Sequence, residues 1–324
     1  YKDAPDTNLG IFIDKLDSGK PREEGRPPFY FFAEGLQLYS SRFVLRDDNL
    51  ETPVILDFSE LQVIAEQFTI EGPEVRTRIA DFKVKTSRNV NIEKLATDFT
   101  YTREQMVFDS LYIRTPESEL IGELRFDYKR EDLAEFTDKV QVTAGFNEST
   151  IALDEVNQFY DGFGKGRKAL LSTQVSGTLN KLQLDDLLLV TDNTGIRGSF
   201  NFENLFNRSG PFQMDARIRD ITTSYYQLRG LMPELFGNSL PEFLKGLGQF
   251  TVRGPALVTE NSVNTQVNIQ SSLGSSYADL NLTKIDDIDN AQYTGFVSLI
   301  DFDLGRFTGS KSLGKATLDV NVEG

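Results

Sequence analysis

The sequence contains no cysteine, no histidine and no tryptophan. The lack of cysteine excludes disulfide bonds and thiolate chemistry, and the lack of both cysteine and histidine excludes the zinc sites that these residues build. Without an imidazole, the chain has no Ser-His-Asp triad and no histidine general base. Most hydrolase mechanisms are therefore excluded.

Long apolar runs are also lacking. Runs such as "ALL" at 169 to 171 and "LLLV" at 187 to 190 fall far short of the roughly 20 residues that a membrane-spanning helix needs. We therefore expect that this segment does not itself cross a bilayer. Because it begins at Tyr1 without an initiator methionine and ends at Gly324 within a strand pattern, we expect it to be a fragment of a longer chain.

Positive charge is scarce: 34 Lys and Arg stand against 49 Asp and Glu, which gives a net charge of −15. Such a surplus repels phosphate backbones and anionic headgroup surfaces at long range, so no nucleic-acid partner is expected. What the chain has in abundance is apolar and aromatic residues, with 25 Phe and 11 Tyr. This content is ample for a packed core.

One hairpin pattern occurs twice. "MVFDSLYIRTPESELIGELRFD" at 106 to 127 is followed 76 positions later by "LQLDDLLLVTDNTGIRGSFNFE" at 182 to 203, and identical residues include Gly122 with Gly198 and Phe126 with Phe202. A third, diverged copy spans 249 to 282, and a fourth begins at "ATLDVNVEG". Repeats of this kind cannot bury an apolar face alone and need neighbours.

Within the repeats, apolar and polar residues alternate, as in Leu120, Gly122, Leu124 and Phe126. Period two predicts strands with one apolar and one wet face, and turn residues at 116 to 118 and 192 to 195 separate the arms of the two hairpins. The shared Gly122 and Gly198 predict a bend, a close ligand approach or a simple β-bulge.

The predicted organisation has two parts. Residues 1–28 form an N-terminal strand and a mobile loop rich in Pro, Gly and charge. Residues 29–324 form a continuous β-segment with repeat units at about 29–94, 95–170, 171–246 and 247–324. Helices are few: the pattern predicts them over 132–138, 154–163 and 225–247, the last interrupted by Pro233, Gly237 and Pro241 and suited to cap one end of a sheet.

Two motifs have a chemical and a structural interpretation. The glycines in "DGFGKGRK" at 161 to 168 resemble a phosphate loop, but they follow a predicted helix, so a helix C-cap that leads into a strand over 169–179 is favoured. The acidic pairs at 47–48, 185–186 and 286–287 offer calcium ligands without a defined loop spacing, so solvated turns are favoured. No catalytic, cofactor-binding or metal-binding residue is predicted.

The apolar strand residues that share parity across the repeats are the candidate functional residues. An open run of repeated sheet units has no second sheet to cover its apolar face, so another molecule is expected to cover it. The candidates for this lining are Met106, Phe108, Leu111, Ile113, Leu120, Leu124, Phe126, Leu182, Leu184, Leu187, Leu189, Ile196, Phe200 and Phe202.

The modules "LGQFTVRG" at 247 to 254, "FDLGRFTGSKSLGKATLDVNVEG" at 302 to 324 and the stretch from 169 to 205 resemble the TamB (translocation and assembly module) family of the AsmA-like superfamily, in its Bacteroidota form. The resemblance implies a mainly β fold, an elongated repeat β-taco whose U-shaped sheet encloses a hydrophobic groove, with a few short helices.

The resemblance also implies a role. A protein of this family bridges the periplasm of a Gram-negative cell envelope, is anchored in the inner membrane by a segment outside this fragment, and works with an Omp85-family outer-membrane protein that is TamA-like. The expected function is non-enzymatic transport of phospholipid, with its acyl chains in the groove, between the two membranes. A scaffold that receives outer-membrane protein strands by β-augmentation is the alternative, and a glycan-active β-domain is a third, less favoured one.

Overall fold

The computed structural model describes residues 27–46, 54–86, 91–158, 162–206, 210–233, 240, 242–285 and 290–324. The predicted N-terminal strand and most of its loop, and the acidic pairs at 47–48 and 286–287, lie outside these residues. The described chain is mainly β, as the alternating pattern predicts. It forms two units, one up to Ala134 and one from Glu135 onward, and the boundary between them falls inside the second predicted repeat.

Sixteen strands form one antiparallel sheet in which the spatial order follows the chain order from β1 to β16, so that β1 and β16 are the edges of the described sheet. The first unit contains β1 (Tyr30–Arg46), β2 (Val54–Glu71), β3 (Glu74–Thr86), β4 (Ile92–Tyr101), β5 (Gln105–Arg114) and β6 (Glu119–Asp127). The second contains β7 (Gln141–Ala152), β8 (Lys168–Thr178), β9 (Lys181–Val190), β10 (Gly195–Glu203), β11 (Gln213–Ser224), β12 (Gln249–Thr259), β13 (Ser262–Ser271), β14 (Gly274–Thr283), β15 (Gln292–Asp303) and β16 (Lys315–Glu323).

The described helices are short and recur at one point of the pattern. Helix α1 (Phe136–Lys139) follows the 3₁₀ helix Arg130–Glu135, whereas α2 (Leu153–Val156), α3 (Tyr225–Leu231) and α4 (Leu304–Thr308) each follow directly on a long strand, β7, β11 and β15. A second 3₁₀ helix, Glu242–Leu247, precedes β12. Four strands and a helix are therefore the element order from β8 to α3 and from β12 to α4. The order from β4 to α2 is the same except that the 3₁₀ helix Arg130–Glu135 and α1 lie between β6 and β7.

The helix expected over 132–138 is present, the one expected over 154–163 is shorter than predicted, and the one expected over 225–247 is interrupted near Pro233 as predicted. Helix α2 ends at Val156, and the side chain of the next residue, Asn157, bonds the backbone that follows. Its Oδ1 accepts from the amides of Gly162 and Phe163, and its Nδ2 donates to the Phe163 carbonyl. Helix α3 ends at Leu231, shortly before Pro233, which agrees with the poor fit of proline to a helix interior. Helix α4 was missed.

The turns between paired strands are as predicted. Thr115 donates its amide to the Ser118 carbonyl, and Thr191 donates its amide to the Thr194 carbonyl. At 115 to 118 the Thr115 hydroxyl also accepts from the Ser118 amide at 2.8 Å, the side-chain turn that Thr favours. These turns fix the register of both repeated hairpins.

Bulges interrupt the long strands. Ser110 in β5 has a φ of 51° and Asp186 in β9 has a φ of 47°, and the pairing register shifts beside each of them. The two positions are 76 residues apart, so the bulge recurs with the hairpin repeat. Because a bulge bends its strand and increases the local twist, both hairpins are bent at an equivalent point.

Candidate functional site

In the first unit, the candidate lining residues of β5 and β6 pair with one another across the two strands. Met106 lies opposite Phe126, Phe108 opposite Leu124, Leu111 opposite Gly122 and Ile113 opposite Leu120. Residues that face each other in an antiparallel pair share a face of the sheet. All seven candidates of this hairpin therefore lie on one face, which we call the apolar face.

Aromatic rings join this face across three strands of the first unit. Phe99 of β4 lies opposite Phe108, with ring centroids 5.0 Å apart. The Phe108 ring in turn meets the Phe126 ring edge-on at 6.3 Å. Such contacts favour the packed arrangement by about 0.5 to 1.5 kcal/mol each beyond the area they bury.

In the second unit, the seven candidates of β9 and β10 repeat the same arrangement. Leu182 lies opposite Phe202, Leu184 opposite Phe200, Leu187 opposite Gly198 and Leu189 opposite Ile196. The bulge reading of Gly198 is correct: a Cβ at this position would lie 2.4 Å from the Arg217 carbonyl oxygen, so the neighbouring backbone leaves no room for a side chain. The close approach of β11 therefore requires a glycine at this position.

The seven candidates of the second unit likewise share one face, the apolar face of that unit. This face continues from β10 through the next strands in continuous cross-strand rows. One row begins at Leu182 and runs through Phe202, Met214, Val258, Val263 and Leu282. A second begins at Leu189 and runs through Ile196, Ile221, Val252 and Ile269. Since neighbouring strands lie about 4.8 Å apart, each row is a near-continuous strip of apolar side chains at right angles to the strands.

Most of the candidate residues are neither buried nor fully exposed. Leu111 and Phe200 are buried, with 2% and 7% of their surface exposed, whereas the other twelve are half-buried. Side chains such as Leu184 and Phe202 thus keep part of their surface accessible although they lie among apolar neighbours. In the described chain, the centre of the apolar face is therefore not covered by a second layer.

The short helices cover one end of this face in the second unit. Leu247, Phe250, Leu273 and Phe302 form a buried cluster, and Leu244, Leu304 and Phe307 pack against it. A second cluster consists of Leu153, Ala169 and Leu231, packed against Phe163, Leu189 and Ile196. The prediction that the 225–247 region caps the end of a sheet is therefore confirmed for Leu231, Leu244 and Leu247.

The glycine-rich segment before β8 does not form a phosphate loop. The Gly166 amide donates to Asp154 at 2.8 Å, and the Gly164 amide donates to the Leu231 carbonyl at 2.9 Å. These amides are thus engaged inside the protein. The proposed glycine C-cap is wrong in detail, because α2 is capped by Asn157.

The acidic residues do not gather into a candidate metal site in the described part of the chain, where no group of three or more carboxylates could hold an ion. Of the acidic pairs singled out from the sequence, the one at 185–186 is described. Asp186 occupies the bulge of β9 and accepts a hydrogen bond from Arg219 at 2.8 Å. Its carboxylate therefore has a structural partner.

Among the described helices, none combines the length and the apolar character that crossing a membrane requires.

The fold and the face together define a mainly β protein built of successive antiparallel hairpins, with an apolar sheet face that short helices cover at one end. Comparison with protein-family models, with curated proteins and with solved structures finds no match.

Proposed function

We propose that this chain is a segment of a TamB-type, AsmA-like bridge that conducts phospholipid through the periplasm between the inner and outer membranes. The observation that supports the proposal is the apolar face, which is continuous across strands and incompletely covered in the described chain. A face of this kind on a soluble segment is expected to be occupied by an apolar partner.

The face suits acyl chains in particular. The side chains of the two rows described above are Leu, Ile, Val, Phe and Met, so these rows offer no hydrogen-bonding group that would fix one ligand in place. Each CH₂ that leaves water for such a surface contributes about 0.8 kcal/mol. Because the contribution is the same at every position along a row, a lipid can be held firmly and still slide.

The proposed role is non-enzymatic, and it places the lipid headgroup in water at the margin of the face. The anionic surplus of the chain keeps its polar surface from adhering to anionic membranes. The partner that the proposal requires at the outer membrane is an Omp85-family barrel, and the membrane anchor belongs to a part of the protein outside this segment.

The test is lipid content in matched variants. We expect phospholipid to copurify with the 324-residue chain and to be detected by native mass spectrometry and by solvent extraction. Leu184→Glu, which places a charge on the apolar face, should reduce bound lipid at least fivefold. Leu257→Glu is the control, since Leu257 lies opposite Asp215 and Asn264 on the other face and is 40% exposed.

Three results would count against the proposal. Repeated preparations without phospholipid would show that the face does not hold lipid. A general loss of β structure in Leu184→Glu, seen by circular dichroism, would show that Leu184 belongs to a closed core. Equal lipid content in both variants would likewise separate lipid binding from the apolar face.

A second candidate is a scaffold for outer-membrane protein strands. It is favoured by β1, a strand of 17 residues that pairs with β2 at the edge of the described sheet and exposes Tyr30, Phe31, Phe32 and Tyr39. Long apolar edge strands readily accept a further strand. Crosslinking of β1 to an unfolded barrel protein, without copurifying lipid, would favour this role over lipid transport.

A further inference from the structure

Strands β10, β11 and β12 line a shallow depression of about 500 Å³. Ser199 lies opposite Arg217, and Arg217 lies opposite Pro255, whereas Phe200 and Ala216 pair on the apolar face. The depression is lined by Gly198, Ser199, Arg217, Ile218, Arg219, Gly254 and Pro255. We call it the arginine depression.

Its glycines make the floor of the depression a surface of backbone. A Cβ on Gly198 would lie 2.4 Å from the Arg217 carbonyl oxygen, and a Cβ on Gly254 would lie 2.1 Å from the Gln266 carbonyl oxygen. The three strands therefore approach too closely here for larger residues. The longest side chains around this floor are those of Arg217 and Arg219.

Two arginines of β10 and β11 are already paired. Arg219 Nη2 donates to Asp186 Oδ1 at 2.8 Å, and Arg197 Nη1 lies 3.8 Å from Asp220 Oδ1. Arg219 is thus held in a fixed place at the wall of the depression. Pairs at an exposed surface contribute little to stability, about 0 to 1 kcal/mol, so their main effect here is to position the guanidinium groups.

The guanidinium groups of two other arginines, Arg217 and Arg253, have no hydrogen bond or ion pair with any described residue. Arg217 lies opposite Pro255, and Arg253 precedes Pro255 by two residues on the same face. The two are therefore diagonal neighbours, about 7 to 8 Å apart at their backbones and within reach of one ligand through their long side chains. The Ser199 hydroxyl, also without a partner among the described residues, lies beside Arg217.

We propose that the arginine depression binds a phosphate-type oxyanion, either a free phosphate ester or the phosphate of a lipid headgroup. The planar guanidinium fork donates two parallel hydrogen bonds to such an anion, and a serine hydroxyl adds a third donor. Asp215 lies two residues before Arg217 and is the nearest carboxylate along that strand that is not held by an arginine. The two unpaired arginines outnumber this one carboxylate locally, although the chain as a whole has a net charge of −15.

This site is independent of lipid transport along the apolar face. The row of Ser199, Arg217 and Pro255 that supplies its donors alternates with the apolar rows and lies on the other face of the sheet, so loss of anion binding is distinguishable from loss of lipid binding. Because anions are repelled by the protein as a whole, binding should be confined to this place and should weaken as the salt concentration rises.

The test measures binding of inorganic phosphate to the full 324-residue chain by isothermal titration calorimetry at low ionic strength. The double variant Arg217→Gln/Arg253→Gln should bind phosphate at least tenfold more weakly. The control Lys165→Gln/Lys181→Gln removes the same charge from two exposed lysines of the second unit and should stay within twofold of the parent protein. Both variants change exposed side chains, so circular dichroism should show an unaltered fold.

Two further arms identify the source of the anion. Glycerol phosphate represents a soluble ester, and vesicles of phosphatidylcholine with and without phosphatidylglycerol represent a membrane headgroup. Variant-sensitive binding of the soluble ester supports a free phosphate ligand, and variant-sensitive binding of the anionic vesicles alone supports a headgroup. The proposal is overturned if none of these probes binds saturably, or if the arginine and lysine variants lose affinity equally.

Discussion

Asn180 Nδ2 donates a hydrogen bond to Asp138 Oδ1 at 2.7 Å, which joins the turn between β8 and β9 to helix α1. Asn180 is 3% exposed and makes three further bonds: its amide donates to the Thr137 carbonyl, its carbonyl accepts from the Asn204 amide, and its Oδ1 accepts from the Phe206 amide. Through its backbone and its side chain, this one residue therefore joins three connections at the same end of the second unit.

The first prediction concerns Asp138. Its pKa is lowered by the hydrogen bond from Asn180, then by that from Thr137. A carboxyl whose pKa is lower in the folded state stabilises the fold above its unfolded pKa, and this stabilisation is lost as the pH falls through the folded value. The parent protein should therefore lose stability faster than Asn180→Ala between about pH 5 and pH 2.

Urea denaturation followed by circular dichroism across this pH range would measure the difference. At pH 7, Asn180→Ala should also be less stable by about 1 to 3 kcal/mol, because it leaves the Phe206 amide without its acceptor. An identical pH dependence in both proteins would show that the Asn180 to Asp138 bond has no energetic role.

The second prediction compares two glycines of β10. Gly198→Ala should destabilise the second unit by about 1 to 3 kcal/mol, because the new Cβ meets the Arg217 backbone at 2.4 Å and neither strand can yield without breaking its pairing. Gly195→Ala is the control: a Cβ there has no atom within 4 Å, so alanine should be neutral or stabilise by up to about 1 kcal/mol. Denaturant midpoints measured side by side would decide, and equal midpoints would contradict the close approach of β10 and β11.

The third prediction concerns Tyr128 in the first unit. Burial, together with the neighbouring Tyr101, raises the pKa of Tyr128 to about 12. A group whose pKa is higher in the folded state stabilises the fold fully below the unfolded pKa, near 10 for tyrosine, and this contribution disappears as the pH rises through 12. We expect one tyrosine to ionise late in an ultraviolet titration.

Tyr128→Phe should remove that late step and flatten the loss of stability between about pH 10 and pH 12. Its cost at neutral pH should be small, about 1 kcal/mol, since the hydrogen bond from the hydroxyl to the Thr102 carbonyl is long, at 3.2 Å. A late ionising tyrosine that persists in this variant would assign the shifted pKa to another residue.

The fourth prediction tests the helical cover of the apolar face. Phe302 is 3% exposed and meets the Phe307 ring edge-on at 5.4 Å. Phe302→Ala should cost about 3 to 5 kcal/mol, because it leaves a cavity under α4 that the short helix cannot close. Phe206→Ala should cost less than about 1 kcal/mol, since that ring is 42% exposed. Comparable losses in the two variants would argue against a packed cap.

The strand pattern was predictable because it depends on the alternation of apolar and polar residues along the chain and on the residues of the turns. The hairpins over 106–127 and 182–203 have both signals, and β5, β6, β9 and β10 lie within a residue or two of their predicted places. The shared face of the seven candidates within each hairpin was predictable for the same reason. Alternate residues of a strand lie on the same face, and the turn of each hairpin determines which residues of its two strands pair.

Other features had weaker signals or none. Helix α4 has an N-cap at Asp303 and a left-handed Gly309 after its end, but five residues are too few to show a helical period. The bond between Asn180 and Asp138 spans 42 residues, and the arginine depression combines three strands. Such groupings depend on strand order, which a single sequence does not reveal.

The strict agreement between chain order and spatial order means that this sheet can change its length without rearranging its connections. A duplicated stretch of 76 residues, the spacing of the two hairpins, would insert four strands and lengthen the sheet by roughly 19 Å. Every other pairing would remain as it was. Evolution can therefore lengthen or shorten the sheet by adding or deleting whole units of four strands.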